Sequence, residues 1–65
     1  MNNERYEVVM MNDGTRTVLH TGTVEECLSY TSEYVRKVGG YKNRNSYNEW
    51  TLNGSGRVWV NRLGY

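Results

Sequence analysis

The chain has one histidine, His20, and one cysteine, Cys27, so acid-base or nucleophilic chemistry has few places to reside. A hairpin turning at Asp13-Gly14 sets Glu7 opposite His20, and a carboxylate beside an imidazole can move a proton. No third polar group converges on the pair, which reads instead as an ordinary cross-strand contact on a solvated face. Cys27 falls one turn after a helix start, where a thiol can become a nucleophile. It also lies on an apolar stripe with no base placed beside it, which makes it a small packing residue. One histidine and one helical cysteine do not make a metal coordination set. No serine sits in a nucleophile elbow, and Gly54-Ser55-Gly56 is followed by no helix that would aim amides at a phosphate. The expectation is a protein without catalytic residues, metal or cofactor.

Binding chemistry is better represented, between Tyr41 and Tyr65. Tyr41, Tyr47, Trp50, Trp59 and Tyr65 alternate there with Lys42, Arg44, Arg57 and Arg62 and with Asn43, Asn45, Asn48 and Asn61. Rigid rings offer contact area at small entropy cost, and guanidinium and amide groups add directed hydrogen bonds. The same types suit nucleotides, whose bases stack on rings while phosphates meet arginine. A chain with no phenylalanine, isoleucine or alanine must also build its core from tryptophan and tyrosine. That demand claims Trp50, whereas Trp59, Arg57 and Tyr47 alternate onto the opposite face. The candidate contact set is Arg57, Trp59, Tyr47, Arg62, Asn61, Arg44 and Lys42, with Trp59 and Tyr47 to stack and the cations to meet negative charge.

These residues need elements to position them. Arg5 to Met11 alternates as a strand, Asp13-Gly14 is a tight turn, and the returning strand would place Val8 opposite Leu19 and Met10 opposite Thr17. The opposite face, with Val9 and Val18, is apolar enough to be partly covered, for instance by a second copy. Thr23-Val24-Glu25-Glu26 has the form of a capping box and should start a helix. Val24, Cys27, Leu28, Thr31, Tyr34, Val35 and Val38 then recur on one stripe, and Gly39-Gly40 ends it. Residues 41 to 46 show no period and are expected to be an exposed basic loop. Tyr47 to Leu52 and Arg57 to Leu63 alternate around Asn53-Gly54-Ser55-Gly56, a second hairpin. With a three-residue loop, Trp50, Val58, Val60 and Asn48 share one face, and Tyr47, Glu49, Thr51, Arg57, Trp59 and Asn61 share the other. The expected fold is α+β, a single ββαββ domain over residues 1–65, with an antiparallel sheet of two hairpins packed on one helix.

Size and charge narrow the partners. A chain of 65 residues buries only about 60% of its unfolded surface, so assembly as a homo-oligomer would help stabilise it. The net charge of +1 argues against a general polyanion binder, but it is divided. Residues 1–35 carry two arginines against six carboxylates, and residues 36–65 carry six cations against Glu49 alone. A lone cysteine and a polar amino terminus without an apolar run suggest a cytoplasmic protein with no membrane partner.

Thr21-Gly22-Thr23-Val24-Glu25-Glu26-Cys27, between a hairpin and a helix, resembles small uncharacterised proteins encoded by bacteriophages. The likeness covers roughly the first half of the chain and leaves the basic aromatic half outside it. It implies an accessory protein in the host cytoplasm that blocks a host protein or sequesters a host signal without catalysis. The resulting expectation is a non-enzymatic binding protein whose partner is a host (defence) factor or a small nucleotide. The alternative is a nucleic-acid module in which the second hairpin contacts the strand and the loop from Lys42 to Asn45 clamps phosphate.

Overall fold

The structure is a computed structural model that describes residues 5–44, 46, 48–54 and 56–63. Among the described residues, five antiparallel strands form one sheet, and a single helix lies across one of its faces. In chain order these are β1 (Tyr6–Asn12), β2 (Thr15–Gly22), α1 (Val24–Val38), β3 (Gly40–Lys42), β4 (Glu49–Leu52) and β5 (Gly56–Arg62). The strand order is β2-β1-β5-β4-β3, so the first and last long strands meet at the centre.

The first hairpin turns at Asp13 and Gly14, both at positive φ, as a two-residue loop between right-twisted strands requires. From the turn to Val9 opposite Val18 its register follows the expected pairing. Beyond that a β-bulge adds Leu19 to β2, so Val8 faces His20 and Glu7 faces Thr21. The Glu7–His20 pair expected from the loop length is therefore absent. His20 instead stacks on Tyr30 of α1 with ring centroids 4.8 Å apart, and Tyr30 stacks in turn on Tyr34.

Helix α1 begins where the capping box places it. The Thr23 hydroxyl accepts from the Glu26 amide at 3.1 Å, and the Glu26 carboxylate accepts from the Thr23 amide at 3.0 Å. Gly39, at φ 95°, closes the helix by donating its amide to the Val35 carbonyl. Cys27, Thr31 and Val35 are buried, and the Thr31 hydroxyl donates to the Cys27 carbonyl, so among the described residues no buried side-chain nitrogen or oxygen lacks a partner. Val38, expected on the buried stripe, is exposed because the helix ends there, past the edge of the core. Tyr30, absent from that stripe, packs against the core.

Residues 41 to 46 are not wholly loop. Gly40, Tyr41 and Lys42 form the edge strand β3, paired with Leu52, Thr51 and Trp50. Three residues are too few to show an alternation, and the position of Gly40 is what permits the pairing. A Cβ there would lie 2.5 Å from the Thr51 carbonyl oxygen and 3.2 Å from a Val35 methyl. The second hairpin has the expected register, with Trp50 opposite Val58 and Glu49 opposite Trp59.

The core lies between α1 and the sheet, and is made of Val8, Val58, Val60 and Trp50 from the strands with Cys27 and Val35 from the helix. Each valine of this core contributes about 1.5–3 kcal/mol by leaving water. Among the described residues, no helix is long and apolar enough to cross a membrane.

Candidate functional site

The face of the sheet without the helix carries the alternate residues of the same strands. On β5 these are Arg57, Trp59 and Asn61, which follow one another at every second position. Trp59 has Val9 of β1 on one side and Glu49 of β4 on the other. Arg57 lies between Met11 and Thr51, and Asn61 is beside Glu7.

Two polar clusters organise this face. In the first, one carboxylate oxygen of Glu7 accepts from Arg16 of β2 at 2.8 Å and from the Asn61 amide nitrogen at 2.9 Å, tying three strands together. Glu7 is only 6% exposed although no helix covers it. A carboxylate can only accept, so the Asn61 nitrogen must point towards it, and the oxygen is that amide's remaining polar atom. In the second cluster Arg57 donates to Glu49 at 3.3 Å and lies 5.8 Å from the centre of the Trp59 ring. The side chains of Arg57 and Glu49 are 59% and 28% exposed, so both remain open to solvent and to a ligand.

Asn48, Glu49, Arg57, Trp59, Val60 and Asn61 line a shallow cleft of about 280 Å³. Its far wall is held by Asn48, whose side-chain nitrogen donates to the Val60 carbonyl at 2.8 Å while its oxygen accepts from Ser46 at 2.7 Å. Both ends of that amide are occupied, so Asn48 positions the wall. The groups left to meet a ligand are the Trp59 ring, the remaining Arg57 donors, the Glu49 carboxylate and the Asn61 oxygen.

Three of the seven candidate residues, Arg57, Trp59 and Asn61, are thus brought together. The other described candidates are elsewhere. Arg62 follows Asn61 and alternates to the helix side, opposite Tyr6. Lys42 is opposite Trp50 and so also belongs to the helix side. Arg44 is exposed in the turn after β3. Tyr47 lies outside the described residues, as do Asn45 and Tyr65. Of the expected phosphate clamp from Lys42 to Asn45, Asn45 falls outside the described residues and Asn43 accepts from the Thr51 hydroxyl. Glu49 and Asn48 line the cleft although neither belongs to the candidate contact set. The alternation of Glu49 with Trp59 was the available signal for the first, whereas the period-two count put Asn48 on the face of Trp50, and its bonds to Val60 and Ser46 are what bring it to the cleft.

Val9, on this same helix-free face, is fully buried by its own chain. Exposed Val18 lies opposite it on β2, and exposed Tyr41 lies opposite Thr51 at the other edge of the face. Across the sheet, a more apolar groove runs beside the His20–Tyr30 stack, bordered by Glu25, Glu26, Ser29 and Glu33. Cys27 is remote from solvent, and burial, followed by the nearby Glu26 and Glu7 carboxylates, pushes its thiol above the ordinary range and keeps it protonated. No protein-family model, curated protein or solved structure matches the chain.

Proposed function

We propose that this protein is a non-catalytic binding protein that holds a nucleotide-class ligand against the helix-free face of its second hairpin. The observation that carries this is the run of Arg57, Trp59 and Asn61 on one face of β5, all lining one cleft. A base stacks on the indole, a phosphate meets the guanidinium, and the amide oxygen accepts a hydrogen bond. The cleft's volume, about 280 Å³, is at the small end of ligand pockets and suits a ligand of mononucleotide size or one moiety of a larger nucleotide. Together with the resemblance to phage-encoded proteins, this supports sequestration of a host nucleotide signal.

Calorimetric titration of the purified chain with cyclic and linear nucleotides tests it. Binding is expected for at least one of them and is lost in Trp59→Ala. Silence of the whole panel removes the proposal.

A host protein is the second reading, favoured by exposed Val18 and Tyr41 at the two edges of the same face. A partner docked there protects both side chains, and Tyr41→Ala weakens it without touching nucleotide binding. A nucleic-acid strand has less support, because Lys42 and Arg62 fall on the other side of the sheet.

A further inference from the structure

In the cleft, Arg57 and Glu49 satisfy each other at 3.3 Å, and the Arg57 guanidinium also lies over the Trp59 ring. An anion that draws Arg57 away leaves Glu49 as an unpaired carboxylate beside the stacked base. A ligand with a phosphate alone therefore gains one charge contact and gives up another. A ligand that also presents hydrogen-bond donors to Glu49 replaces both halves of the broken pair.

The cleft's other polar group on that side is the Asn61 amide. One N–H of Asn61 is committed to Glu7, which fixes the amide with its oxygen turned away from that carboxylate. A ring stacked on Trp59 thus meets a carboxylate and an amide oxygen, both acceptors, with Arg57 as the donor for its anionic end. Among nucleobases, guanine alone carries two adjacent donors, N1–H and the N2 amino group, on one edge. Adenine and cytosine offer a single amino group beside a ring acceptor, which a carboxylate repels.

Resting on the nucleotide-binding proposal above, we infer that the cleft selects guanine nucleotides, with Glu49 accepting from the guanine N1–H and N2 amino groups while Arg57 swings from Glu49 to the phosphate. Glu49 is then the specificity-determining residue, and its pairing with Arg57 is the contact that the ligand displaces.

The test titrates the full chain with two matched pairs of probes, guanosine and adenosine monophosphate, and cyclic di-guanosine and cyclic di-adenosine monophosphate. It is repeated on Glu49→Gln, with circular dichroism to verify that the variant is folded. In the unmodified protein the guanine member of a pair is expected to bind about tenfold or more tightly than its adenine counterpart, the discrimination of a good bidentate contact. In Glu49→Gln that preference collapses, while adenine binding holds or improves because Arg57 has lost its competitor. Equal binding of guanine and adenine ligands, or a guanine preference that survives Glu49→Gln, overturns the inference and leaves nucleotide binding standing. Silence of all four probes in the unmodified protein overturns the inference too, and the wider nucleotide panel then decides whether nucleotide binding falls with it.

Discussion

The two faces of this sheet are built from the same strands, residue against residue, and they are finished in different ways. On the helix side Val8, Val58, Val60 and Trp50 are sealed by Cys27, Thr31 and Val35, and the one buried hydroxyl is satisfied within the helix. On the other side there is no second layer, and Glu7 and Val9 are nevertheless buried. Long side chains do that work. Arg16 and Asn61 close over the Glu7 carboxylate, and Trp59 flanks Val9. The first face gains stability from apolar area removed from water, whereas the second keeps charged groups in pairs that solvent or a ligand can reopen. Stability and recognition are thereby assigned to opposite sides of one layer only a few ångströms thick.

Unequal responses to truncation of the two tryptophans are the widest test of that division. Trp50→Ala is expected to cost about 3–5 kcal/mol, the range for a large core aromatic, enough to unfold much of so small a domain. Trp59→Ala, on the partly exposed face, is expected to cost less than half as much. Urea unfolding followed by circular dichroism measures both. Similar losses would mean that the helix-free face is a second core.

Glu7→Ala comes next. It removes the acceptor shared by Arg16 and Asn61, strands the part-buried Asn61 nitrogen, and is expected to cost about 1–3 kcal/mol. It also frees the Asn61 amide to rotate, so ligand affinity falls as well. A variant with lowered stability and unchanged affinity separates the Glu7 cluster from the cleft.

Most of the covered face was legible in the sequence, because it rests on local signals. Asp13-Gly14, the Thr23–Glu26 capping box and Gly39 each state a backbone conformation, and the alternation around Trp50 and Val58 states a face. What escaped depends on contacts distant in sequence. The bulge at Leu19 changes no composition, yet it moves His20 from Glu7 to Val8 and gives the ring to Tyr30. Strand β3 is three residues long and is held by its neighbours, with Gly40 admitting the close approach to Thr51 and Val35. The candidate site divided along the same line. Arg57, Trp59 and Asn61 were readable as one strand face, whereas Lys42, Arg44 and Arg62 were joined to them only by shared charge; strand parity separates Lys42 and Arg62, and Arg44 lies in the turn after β3.

Thr23→Ala tests the covered side at lower cost. Losing the cap is expected to remove about 1 kcal/mol, seen as a lower unfolding midpoint, with no change in ligand affinity since α1 does not touch the cleft. A drop in affinity would show that helix and cleft are coupled through the sheet.

Arg57→Ala should have the smallest effect on folding. Its ion pair with Glu49 is exposed and its contact with Trp59 is open to water, so each is worth little and a loss of ~0.5 kcal/mol is expected. Binding should respond in the opposite proportion, because the same guanidinium is the only cation lining the cleft among the described residues. Melting and calorimetry on the one variant give both numbers. A large stability loss with little change in affinity would reverse the assignment and make Arg57 a brace for Trp59. Near-normal melting with affinity abolished would place the residue among those the fold leaves free for a ligand.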